Sequence, residues 1–111
     1  MRKQFLTYIL LAISLVGLSI WPLNAAAAEE NWPTIIQQLE AARATNNADT
    51  KINSSLATAY NNYGLTFAHQ KQWQQAEIYL QKAAATDPSN NNIRLNLSNI
   101  DFEHGFELFQ S

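Results

Sequence analysis

The sequence predicts an all-α fold of about four amphipathic helices, paired as antiparallel hairpins behind an N-terminal export signal. Three observations carry this expectation. Apolar residues from Ile35 onward recur at steps of three and four, and no stretch alternates as a strand does. Polar and turn-forming clusters interrupt that period at Thr45-Asn46-Asn47, Gln70-Lys71-Gln72 and Asp87-Pro88. The first 28 residues have a different texture, set by one long uncharged apolar run.

That opening segment reads as a secretory signal. Arg2 and Lys3 form a basic start, Phe5 to Ile20 is uncharged and rich in Leu and Ile, and Pro22 breaks any helix. Ala25 to Ala28 then supply small residues before Glu29, which places cleavage after Ala27 or Ala28. The alternative is an uncleaved membrane anchor through residues 5–23, close to the roughly 20 apolar residues a spanning helix needs. The expected organisation is therefore a signal peptide at 1–28 and a helical domain at 29–111. An exported product could reside in a periplasm, outside the cell or in a lumen.

Loss of the signal changes the charge. The basic count falls from 7 to 5 as Arg2 and Lys3 leave, all 9 acidic residues stay, and the domain carries a formal charge of −4. An acidic domain is a poor match for nucleic acid, which calls for a basic face. With no cysteine, the domain has no disulfide framework or thiolate metal site and relies on packing alone.

Four helices follow in order. The first opens at Trp32-Pro33, where proline suits an initial helical position. It carries Ile35, Ile36, Leu39 and Ala42 as one stripe. The second starts near Asp49 or Thr50, with Asp49 able to cap the orphan amides. It presents Ile52, Leu56, Tyr60, Tyr63 and Phe67 on one face. The third begins near Trp73, places Ala76, Tyr79, Leu80 and Ala83 together, and stops before Pro88 because a pre-proline residue avoids the helical region. The fourth is capped by Ser89 or Asn90. It has Ile93, Leu97 and Ile100 on one side and Leu95, Phe102, Phe106 and Phe109 on a second. Gly105 is expected to end or loosen it.

Within this frame, Tyr60-x-x-Tyr63-Gly64-x-x-Phe67 leads through Trp73 to Ala76-x-x-x-Leu80-x-x-Ala83 and Pro88. The pattern resembles the tetratricopeptide (TPR) repeat, a helical hairpin of 34 residues. The likeness covers Ala57 to Asn90, one unit, with Tyr60 and Tyr63 in place of the family's Trp and Leu. Gly64 and Ala76 are small residues on facing helices, which lets the backbones approach. Trp32, Ile35, Leu39 and Ala42 mirror the spacing of a preceding second helix, and Asn91 to Gly105 resembles a following first helix. Arg94 and Asp101 depart from that pattern, standing where a large aromatic and Phe67 belong. The resemblance implies a short TPR-like solenoid, and such stacks ordinarily need about three repeats. Capping by the end helices, self-association or partner binding, and truncation from a longer array are the three ways to complete it. Phe102, Phe106, Leu108 and Phe109 either fold back onto the third helix or form a contact surface.

The resemblance also implies a function. In the family, the first helix of each repeat lines a concave groove. The matching residues are Thr58, Asn61, Asn62, Leu65 and His69, followed by Asn92, Leu95, Asn96 and Asn99. Asparagine both donates and accepts, which suits an extended peptide backbone. The expected role is a protein-binding or assembly module whose partner is a protein or peptide. The alternative is a small structural or regulatory subunit that self-associates or docks through its aromatic C-terminal segment. No enzyme activity, cofactor or metal site is expected. His69 and His104 read as solvated turn residues, and Glu103 and Glu107 as a solvated acidic face. No glycine loop or nucleophile motif is present.

Overall fold

The structure, a computed structural model, describes residues 31–111, so the expected signal and the alternative anchor at 5–23 lie outside the described residues. These residues form four α-helices and no strand: α1 (Trp32–Thr45), α2 (Thr50–His69), α3 (Trp73–Thr86) and α4 (Asn91–Gln110). Among the described residues, no helix is long and apolar enough to cross a membrane.

Local chemistry sets the boundaries. α1 ends where the Asn46 amide folds back onto the carbonyls of Ala42 (3.1 Å) and Arg43 (3.2 Å). Asp49, in an extended conformation, caps α2. Its Oδ1 accepts from the amides of Lys51 (2.8 Å) and Ile52 (3.3 Å). Asn90 repeats the device for α4, accepting from Asn92 (3.1 Å) and Ile93 (3.2 Å). Of the two candidate caps for that helix, it is Asn90 that serves. Ser89 instead donates to Asp87 Oδ1 at 2.7 Å.

α2 ends in a double bond pattern. The amide of Gln72 reaches Phe67 O (3.0 Å) and that of Lys71 reaches Ala68 O (2.9 Å), with Lys71 at φ 57°. This is the Schellman closure, in which a left-handed residue satisfies the last carbonyls. Lysine occupies a position glycine ordinarily takes.

The helices pack in series, each antiparallel to the next. Asn53 donates to Asn47 O (3.1 Å) while Tyr60, further along α2, donates to Glu40 in α1. The α2–α3 contact is the most extensive, α4 lies on α3, and α4 also touches α2. One core cluster joins Ile36 of α1, Leu56, Ala57, Ala59 and Tyr60 of α2, Ala83 of α3 and Ile93 of α4. A second joins Ala76 and Leu80 to Ile100, with Phe67, Trp73 and Leu97 against it. Leu56 and Leu80 are wholly buried. The expected close approach is present: a β-carbon on Gly64 would lie 3.1 Å from the carbonyl oxygen of Ala76.

α4 departs from expectation in two ways. It runs through Gly105 to Gln110 without a break, because the flanking residues keep the helical ladder and nothing crowds the glycine. Its aromatic residues do not fold back onto α3. Phe102, Phe106, Leu108 and Phe109 stand exposed, Phe109 at 89%.

Candidate functional site

The groove residues expected from the sequence fall on α2 and α4, and the structure brings three of them together. Asn96 donates its side-chain amide to Asn61 Oδ1 at 2.9 Å, and Asn61 donates to Asn62 Oδ1 at 3.2 Å. All three are half-buried. They form a directed chain in which each amide donates to the next. Among the described residues, the Nδ2 donors of Asn62 and the Oδ1 acceptor of Asn96 have no side-chain partner left over from that chain.

Packing fixes this trio. Asn61 and Asn62 follow Tyr60, whose ring is buried and whose hydroxyl is held by Glu40. Asn96 lies between Ile93 and Ile100, both buried. Leu65 is half-buried beside the trio's helix face. Thr58, His69, Asn92, Leu95 and Asn99 remain exposed and are not drawn into the chain of bonds.

Behind the asparagines stands an aromatic layer that anchors α2 to α3. Tyr63 and Tyr79 have centroids 4.5 Å apart, Tyr63 and Phe67 4.7 Å, and Phe67 stacks on Tyr79 at 5.6 Å. Lys82 Nζ lies 5.2 Å from the Tyr79 centroid and 5.7 Å from that of Tyr60, a distance at which the ring faces attract the cation. Burial pushes the Tyr60 hydroxyl up to about 12, reinforced by the hydrogen bond to Glu40 and that carboxylate's charge. Burial also raises Tyr63, with Tyr79 adding to the effect.

Two residues set aside as solvated have structural partners. His104 is not in a turn. It sits inside α4, half-buried, with Nδ1 2.6 Å from Glu77 Oε1 of α3. Glu107 accepts from the indole N–H of Trp73. For His104 the readable cue is position: it continues the three-and-four period of Ile93, Leu97 and Ile100, and a polar residue on a buried stripe needs a partner, whereas Glu107 stays exposed.

A cleft of about 730 Å³ opens at the other end of the α2–α3 hairpin, between Thr50, Asn53 and Ser54 on one side and Thr86, Asp87 and Ser89 on the other. It includes none of the expected groove residues. Among the described residues, no group of three or more His, Asp and Glu side chains is assembled at metal-binding distance. No known family model, curated protein or solved structure matches the chain.

Proposed function

We propose that this chain is an exported, TPR-like protein-binding module that performs no reaction of its own. In this reading α2 and α3 are one repeat, α1 is the second half of a preceding unit, and α4 is the first half of a following one. The observation that carries it is the hydrogen bond from Asn96 to Asn61. It links residues 35 positions apart, about one repeat length, on the two helices that would line the groove. The free donors of Asn62 and the free acceptor of Asn96 match the carbonyl and amide of an extended peptide unit.

Selection of displayed random peptides on the purified protein tests this reading. Sequence-related peptides should be enriched by the native chain, and enrichment should disappear for the Asn61→Ala/Asn96→Ala variant at unchanged helical content. Equal enrichment by that variant, or none by the native protein, counts against the groove. Export is tested separately by mass spectrometry of the chain from its native host. A product beginning at Ala28 or Glu29 supports cleavage, whereas an intact Met1 in the membrane fraction supports the anchor.

A further inference from the structure

α4 carries two apolar stripes on opposite sides. Ile93, Leu97 and Ile100, continued by His104 and Glu107, face α3. Leu95, Asn99, Phe102, Phe106 and Phe109 are separated by four, three, four and three residues, and all are exposed. At 3.6 residues per turn these sets lie about half a turn apart. A helix that is apolar on two sides belongs between two layers. Among the described residues, only one layer is supplied.

We propose that the outer stripe is the interface for a second copy of this chain, with the two α4 helices packed antiparallel about a two-fold axis. The four-three spacing is the seam along which two helices interlock, and Asn99 is a single polar residue within it, the feature that commonly fixes register. Phe102 and Phe106 already stack, with centroids 6.1 Å apart, and form a preformed aromatic ridge.

Area supports the same occupant. Leu95 is 60% exposed, Phe102 68%, Phe106 49% and Phe109 89%. At roughly 200 Å² per aromatic side chain, the stripe offers about 500 Å² of apolar surface. Doubled across a two-fold axis it reaches about 1,000 Å², the lower bound of a specific interface. A head-to-tail contact would need a second apolar patch, and among the described residues the exposed large apolar side chains outside α4 amount to Ile78 alone, at 45%. An isologous arrangement matches the stripe with itself. Antiparallel overlap of the whole stripe sets Leu95 against Phe109 of the second copy, leaves the acidic Asp101, Glu103 and Glu107 outside the stripe, and opposes the two helix dipoles. The same acidic groups disfavour insertion into an anionic membrane surface.

The test uses sedimentation velocity and cysteine cross-linking on the purified full chain, which has no cysteine of its own. A concentration-dependent dimer is expected, with Phe106→Ser/Phe109→Ser weakening its Kd at least tenfold at unchanged helical content. Leu95→Cys mixed with Phe109→Cys should cross-link between copies, and Gln37→Cys should not. A protein that stays monomeric at high micromolar concentration overturns the proposal. So does a dimer indifferent to the Phe106/Phe109 variant, or one cross-linked through Gln37→Cys. Asn61→Ala/Asn96→Ala should leave dimerisation intact, so the seam and the groove stand or fall separately.

Discussion

Gly64 and Leu80 approach so closely across the α2–α3 contact that a β-carbon on Gly64 would meet Leu80 Cγ at 2.9 Å. The same β-carbon would lie 3.1 Å from Ala76 O and 3.3 Å from Leu80 N, neither of which can move without shifting α3. In an open helix, Gly→Ala gains about 1 kcal/mol of propensity. At Gly64 the overpacking term, about 1–3 kcal/mol, opposes that gain and exceeds it. Gly64→Ala should therefore lower the unfolding midpoint. Gly105 is the internal control. Nothing lies within 4 Å of its missing β-carbon, so Gly105→Ala should stabilise by about 1 kcal/mol. Thermal unfolding followed by circular dichroism should move in opposite directions for the two variants. For a domain of this size, each kcal/mol shifts Tm by about 4–8 °C.

The left-handed Lys71 gives a second prediction. A non-glycine residue at φ 57° costs about 1–2 kcal/mol in backbone strain. Replacing it with glycine removes the strain but widens the unfolded ensemble, at a cost of about 0.4–1 kcal/mol. Lys71→Gly should raise the denaturation midpoint by about 0.5–1 kcal/mol equivalent. Lys71→Val, β-branched and ill-suited to positive φ, should lower it. Urea titration of both variants checks the order.

These residues also show how far the sequence could be read. The hairpin of α2 and α3 was legible because its determinants are periodic and chemically distinctive. Gly64 and Ala76 are the small pair, Leu56 and Leu80 the central apolar residues, and Asp49 and Pro88 the boundaries. Asn61 and Asn96 could be placed on corresponding helix faces by their spacing, though their mutual bond could not. Lys71 could not be read as a left-handed residue, because nothing in a lysine signals positive φ. The turn imposes it through the carbonyls of Phe67 and Ala68. Gly105 misled in the opposite sense. Glycine permits a helix end, but the bonding of its neighbours decides whether one occurs. His104 could be placed on the α3-facing stripe by its spacing, but the partners of His104 and Glu107, Glu77 and Trp73, could not be read because they lie on another helix.

Tyr60 predicts an alkaline transition. Its folded-state value of about 12 lies above the ordinary 10, because burial and Glu40 disfavour the phenolate. Below pH 10 the hydroxyl is protonated in both states and its full contribution is present. As pH rises from 10 towards 12 the unfolded chain ionises first, and that contribution is lost. Tyr60→Phe should be less stable than the native chain at neutral pH by about 1.5–3 kcal/mol, the scale of a hydrogen bond to a charged group. Between pH 10 and 12 the native chain should lose stability more steeply than the variant, narrowing the gap. Urea unfolding midpoints across that range test the sign, and parallel slopes for the two proteins would contradict it.

The cap at Asn90 makes the last prediction, and it bears on how α4 is held. Asn90 Oδ1 satisfies two amides of the first turn, and the residue above it, Ile93, is only 2% exposed. Loss of the cap leaves those amides competing for water at a point where the chain enters the core. Asn90→Ala should cost about 1 kcal/mol, whereas Asn90→Asp keeps an acceptor and adds a charge favourable to the helix N-terminus. The far end of α4 is held by different contacts, Trp73 with Glu107 and His104 with Glu77. Amide hydrogen exchange should therefore accelerate in Asn90→Ala mainly over residues 92–96, with smaller change near Glu107. Uniform acceleration along the whole helix would mean that α4 detaches as a unit, and that its anchor lies at the cap rather than along α3.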